Sequence, residues 1–194
     1  MSAATPAPVR QLLARPERQA SILRGAAEAF AHSGYAATSM DDVAAACGVT
    51  KLIVYRHFAS KEELYRAILE RVFSRMGEEL EARLQTPAQG VGARTILTVA
   101  REDPDGFVLL WRHAAREPQF ADYVRDTREL AAGAVRELMG LRSGDELMDH
   151  WTSETIFGWL IETVLTWLDV GDPKRDSEMV DRATAALRAM RPAF

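Results

Sequence analysis

The span GVTKLIVYRHFASKEEL, residues 48–64, gathers a tyrosine, an arginine, a histidine and two of the chain's three lysines. Tyr55, Arg56, His57 and Lys61 donate hydrogen bonds suited to phosphate oxygens, the contacts that position a protein on a nucleic-acid backbone. Lys51 adds another cation. Thr38, Ser39 and Thr50 put hydroxyls beside the free backbone N–H groups of helix starts, and such a terminus attracts anions. Catalysis is the competing chemistry for His57. No Ser, Cys or carboxylate pairs with it in a recognised motif, however, and a nucleophile needs an adjacent base. His113 and His150 are isolated, no HExxH-type spacing occurs, and the glycines form no phosphate-binding loop. No catalytic group, metal or cofactor is expected. The basic residues could also be a solvated helix face.

A second set of residues could bind rather than react. Phe107, Leu110 and Trp111 share one helical ridge, Phe120 and Tyr123 follow the break at Pro118, and Trp151, Glu154, Thr155 and Gly158 share one face of a later helix. Aromatic walls with a few polar groups make a site for an apolar or aromatic small molecule. Phe107, Trp111, Tyr123, Trp151, Glu154 and Thr155 are therefore the candidate lining, with plain core packing as the other reading.

These residues must be held by helices, because the chain carries helix signals throughout and no convincing strand. Ile22, Leu23, Ala26, Ala27 and Phe30 recur at three- and four-residue intervals, and Gly34 stands where a C-terminal cap belongs, which predicts a helix over 17–32. Thr38 or Ser39 caps a second, short helix whose first turn holds Asp41 and Asp42 and which Gly48 stops. A third runs from Thr50 to near Phe58, and Ser60 with Glu63 reads as a capping box opening a fourth along Leu64, Ile68, Val72 and Phe73. If Val54 and Phe58 face a small core, then Lys51, Leu52, Tyr55 and Arg56 lie on the opposite side. Two short helices joined by the turn Cys47, Gly48, Val49, Thr50 match a helix-turn-helix, whose second helix enters the DNA major groove.

Composition narrows the remaining classes. At 194 residues and 47% hydrophobic the chain can bury a substantial core. A single cysteine, Cys47, leaves no internal disulfide framework and fits a reducing compartment; packing is its expected role. The start of the chain lacks the apolar segment of a secretory signal, and acids interrupt the most apolar later stretch, so a cytoplasmic protein with no membrane partner is expected. Net charge is −4, yet residues 1–57 carry six basic groups against four acids. A mildly basic head thus sits on an acidic body.

The stretch TSMDDVAAACGVTKLIVYRHFASKEEL resembles the DNA-binding region of the TetR-type (tetracycline-repressor-like) transcriptional regulators. The resemblance rests on Tyr55 to Phe58, on the Ser-Lys-Glu of residues 60–62, and on Gly34 and Tyr35 with Thr38 after them. Leu52 and Ile53 depart from the Gly or Pro followed by Ser or Thr common there. The residues themselves predict an all-α protein, with a flexible arm at 1–16, a three-helix helix-turn-helix bundle at 17–62 and a larger helical domain at 63–194, and the resemblance agrees with it. The resemblance further implies a homodimer on a double-stranded DNA operator, most often a repressor, released by a small-molecule effector. A ligand-independent regulator or activator and a small all-α enzyme are the alternatives. Helices over 149–169 and 176–190 are the candidate dimer interface, through Gly158, Trp159, Glu162, Met179, Ala183, Ala186, Leu187 and Met190.

Overall fold

The structure is a computed structural model that describes residues 14–86 and 89–190, and every regular element among them is helical. Most of the arm expected at 1–16 lies outside the described residues; Arg15 and Pro16 already belong to the first helix. That helix, α1 (Arg15–Ser33), opens with Pro16 in its first turn and closes on Gly34, whose φ of 80° gives the left-handed bend a side chain resists. It buries the expected face: Ile22, Leu23, Ala26, Ala27 and Phe30.

Helix α2 (Met40–Ala46) is held at its start by reciprocal bonds: the Ser39 hydroxyl accepts from the Asp42 N–H at 3.2 Å, and the Asp42 carboxylate accepts from the Ser39 N–H at 2.8 Å. Gly48, with φ 62°, turns the chain into α3 (Lys51–Tyr55). Helix α4 (Lys61–Leu84) is capped by Ser60, which accepts from the Glu63 N–H at 3.0 Å. The capping box departs from expectation in one detail: Glu63 reaches back to the N–H of Ala59, at 2.7 Å, one residue beyond the cap.

Helix α4 runs straight through the domain boundary expected between residues 62 and 63. Its first turns bury Leu64, Tyr65 and Ile68, and its later ones Leu69, Val72 and Met76. The body continues through α5 (Val91–Glu102), α6 (Pro104–Val108), α7 (Pro118–Met139), α8 (Glu146–Val170) and α9 (Asp176–Met190). Between α6 and α7 the chain makes one wide π turn at Leu109–His113 and a 3-10 turn at Ala114–Arg116. Asp176 at the start of α9 accepts from Arg101 of α5 at 2.8 Å and from the Trp167 indole of α8 at 2.7 Å, tying three helices at one carboxylate. Arg101 above all holds that carboxyl below its usual range.

Head and body meet at an aromatic cluster. Tyr65 packs edge-on against Phe30 and Tyr35 at 5.1 and 5.0 Å and stacks on Phe120 of α7 at 4.6 Å. Its hydroxyl is fully buried without a hydrogen-bond partner, and burial pushes its pKa up. Removing an unpaired buried hydroxyl relieves a desolvation cost, whereas removing the ring leaves a cavity. Tyr65→Phe should therefore raise the melting temperature by about 2–4 °C, corresponding to about 1 kcal/mol, while Tyr65→Ala should cost about 3–5 kcal/mol. Calorimetry of the two variants checks both signs.

Candidate functional site

The outer face of α3 is short, and its inner side is fixed by two residues. Val54 is fully buried and Phe58 nearly so, which turns Leu52 (62% exposed), Tyr55 (44% exposed) and Arg56 to solvent. Arg56 makes no ion pair or hydrogen bond through its side chain among the described residues. Thr50 caps α3 through its backbone position only, so its exposed hydroxyl is available. His57 is half-buried beside the Phe58 ring. Lys51 is exposed and donates to Asp41 at 2.6 Å; that bond raises its pKa. Such an exposed pair is weak and exchangeable, so a phosphate can take the ammonium from Asp41.

Three of the proposed phosphate contacts are engaged internally. Thr38 is 2% exposed, and its hydroxyl donates to the Gly34 carbonyl at 2.7 Å. The Ser39 hydroxyl serves the α2 cap and also donates to Asp42 at 2.6 Å, which lowers the Asp42 pKa. Lys61 is half-buried and reaches across to the α1–α2 connection. Its Nζ donates to the carbonyls of Tyr35 at 2.8 Å and Thr38 at 3.1 Å and lies 4.3 Å from the centre of the Tyr35 ring. An ammonium has three donors, and two are spent holding this loop. Thr50, Leu52, Tyr55 and Arg56 therefore form the open surface, with Lys51 at its edge, while Lys61 is tied to the α1–α2 connection.

Cys47 is a packing residue. Its sulfur contacts the helix-one backbone and would lie 2.7 Å from a Cβ at position 25, so Gly25 is what lets α1 and α2 approach. Burial, then the nearby Glu28 carboxylate, raises the thiol to about 11. It stays protonated and unreactive near neutral pH.

The body holds an apolar cleft of about 310 Å³ between α4 and α7, floored by α5 and α8. Phe73, Met76, Gly77 and Leu80 face Leu130, Ala134 and Leu138 across it, above Gly92, Thr95, Phe157 and Leu160. None of the six residues expected to line a ligand site is in its wall. Phe107 is fully buried core, and Trp111 is half-buried between Phe107 and Phe157. Tyr123 lies half-buried beneath Arg66, Glu154 accepts from Arg128 at 2.7 Å, and Trp151 and Thr155 are exposed. The residues that line this cleft read in sequence as ordinary core. Its one signal is a threonine inside the apolar run of α5, with Gly77 and Gly92 keeping the space open.

The candidate interface residues separate likewise. Trp159, Met179, Ala183 and Ala186 lie along one open, largely apolar groove of α8 and α9, with Trp167 beside them. Glu162 is exposed and accepts from Arg112 at 3.2 Å. Gly158 lies outside the groove, where a Cβ would stand 2.8 Å from an Arg128 guanidinium nitrogen. Leu187 turns toward Gly92 and Leu160, and Met190 is half-buried in the last turn of α9. Among the described residues no His, Cys, Asp and Glu cluster could hold a metal ion, and no helix is long and apolar enough to cross a membrane.

Residues 22–68 match the family model described as bacterial regulatory proteins, tetR family. The HTH-type transcriptional activator FasR of Mycolicibacterium smegmatis is 32% identical over 140 residues, which cover 69% of this chain and 64% of that protein. The HTH-type transcriptional repressor Rv3405c of Mycobacterium tuberculosis is 40% identical over 62 residues, covering 32% of this chain and 33% of its own. The matched region thus spans less than two thirds of the length of either relative. A TetR-like regulator from Rhodococcus superposes with a TM-score of 0.75 at 20% identity, over 93% of this chain and 96% of its own. AibR, solved with isovaleryl coenzyme A and operator DNA, superposes with a TM-score of 0.66 at 21% identity, over 87% of this chain and 97% of its own.

The structural role of Lys61 has a measurable consequence. Lys61→Ala leaves two carbonyls without their charged donor and should cost about 1–3 kcal/mol of stability. Arg56→Ala, which removes no internal contact, should stay within about 0.5 kcal/mol of wild type. Chemical denaturation in the absence of DNA distinguishes the two.

Proposed function

From the premise that the chain belongs to the tetR family of bacterial regulatory proteins, we propose that it is a sequence-specific transcriptional regulator that binds operator DNA as a homodimer and is released by a small apolar effector. The single observation that carries this reading is the outer face of α3. An apolar residue, a phenol and an unpaired guanidinium stand exposed on a helix whose other side is locked into the core. That arrangement serves a helix entering the major groove, with Arg56, Tyr55 and Thr50 on phosphates and Leu52 against base edges, where a thymine methyl is the natural apolar contact. The relatives include both an activator and a repressor; repression is the sign proposed here. Such a regulator works in the cytoplasm, beside the DNA.

The apolar groove of α8 and α9 supports dimerisation, which a two-half-site operator requires. The cleft between α4 and α7 supports an effector site, since α4 carries the DNA-binding head at its other end. AibR, described with isovaleryl coenzyme A and operator DNA together, supports an effector with an apolar group.

Electrophoretic shifts on DNA flanking the protein's own gene, followed by genome-wide capture of bound DNA, test the reading; absence of any specific site would remove it. Within it, Arg56→Ala should weaken binding to all sequences alike and flatten the log-affinity against log-salt slope by about 0.9. Leu52→Ala should leave that slope nearly unchanged and relax preference at one position per half-site, by at most about 1–3 kcal/mol. Ala186→Glu should drive the protein toward monomer in sedimentation and weaken operator binding with it. A monomer that still binds DNA tightly would eliminate the dimer.

A further inference from the structure

Thr95 stands out in the floor of the α4–α7 cleft. It is 4% exposed, and its Oγ1 has no hydrogen-bond partner. A threonine inside a helix ordinarily returns its hydroxyl to the carbonyl four residues earlier, and Thr184 of α9 does so, donating to Val180 at 2.7 Å. Thr95 leaves its donor and acceptor unmet among the described residues, its Oγ1 buried in the wall of an otherwise apolar space. A buried polar group without a partner is costly, so its persistence at a cavity wall points to a partner that arrives from outside.

The rest of the lining limits what that partner is. No charged side chain is among the residues forming the cleft, and Ser74, its other hydroxyl, is exposed at the rim. An ionised carboxylate or ammonium drawn inside would lose its water and find no counter-charge. A volume of about 310 Å³ is that of a small molecule, at the lower end of ligand sites. We propose that the cleft selects an uncharged, mostly apolar molecule carrying one carbonyl or hydroxyl group, which hydrogen-bonds to Thr95, and that it discriminates against the ionised acid of the same skeleton. This inference rests on the reading of the cleft as an effector site.

Methyl octanoate and octanoate at pH 8 serve as the neutral and ionised probes, with binding measured by isothermal titration calorimetry. The ester should bind wild type, and the carboxylate should bind at least about tenfold more weakly. Thr95→Val is nearly isosteric and deletes an unpaired hydroxyl, so the empty variant should be no less stable than wild type while binding the ester about three- to tenfold more weakly. Thr95→Ser should restore ester binding. Ala134→Trp, which fills the cleft, should abolish it with far-ultraviolet circular dichroism unchanged. Equal affinity for ester and carboxylate, equal ester affinity in wild type and Thr95→Val, or no ester binding at all would each overturn the proposal. An ester that binds through Thr95 but leaves the operator shift unchanged upholds the recognition and removes only the regulatory reading.

Discussion

The ring of Tyr65 is enclosed by Phe30 and Tyr35 from the head and by Phe120 from the body, and this shared burial makes one object of two bundles. Three short helices alone have little core to offer, and burial of apolar area is the main driving term for a small domain. Helix α4 resolves the shortage by serving both cores in succession. At 24 residues it is a rod about 36 Å long, too stiff to let the head and body move independently near the junction. Tyr35 is held in the cluster partly by Lys61, whose ammonium covers its ring and binds two carbonyls of the same loop. One of the cations expected to meet phosphate is therefore a fastening of the fold.

Charge is distributed by the same economy. The chain is acidic overall, yet the body's arginines are largely matched by acids of neighbouring helices: Arg75 with Glu102, Arg101 with Asp176, Arg112 with Asp169, Arg128 with Glu154. Most of these pairs are partly exposed and contribute modestly to stability. Their larger effect is on the long-range field, because a paired guanidinium offers no net charge to a polyanion. On α3 the opposite holds: Arg56 has no acid partner among the described residues, and Lys51 has one it can exchange. Under the proposed function, a net charge of −4 and a DNA-binding face coexist because only the local cations without a fixed acid partner meet the backbone.

What the sequence made legible followed from local rules. The ends of α1, α2 and α4 were marked by Gly34, Gly48, Ser39 and Ser60, residues whose cap and turn roles depend on near neighbours alone, and Val54 and Phe58 gave the orientation of α3 through their spacing. Lys61 stands at the helix start that the sequence marks, but its partners belong to a loop more than twenty residues away, a distance that no local rule spans. The cleft was hidden for a different reason. It is a void between four helices, and Phe73, Leu130, Phe157 and Leu160 that line it have the pattern of core residues.

The cleft and the aromatic cluster lie along the same pair of helices, and their order along the chain matters. Tyr65 of α4 meets Phe120 of α7, and further on Phe73, Gly77 and Leu80 face Leu130, Ala134 and Leu138. The two helices thus advance side by side, closed at their first turns by stacked rings with the Arg66 guanidinium 5.5 Å from the centre of the Phe120 ring, and parted at their later turns by the cleft. A molecule seated in the cleft acts on α4 about 12–22 Å from that closed end, judged by the helical rise, while the head is attached just on its other side. Toward α7 the first turns of α4 are packed by stacked rings and its later turns face the cleft, so under the proposed function an occupant of the cleft presses on the less supported part of that face. Under the proposed function, the differential contact an effector needs in order to shift the head is supplied by the unequal packing of the two ends of one helix.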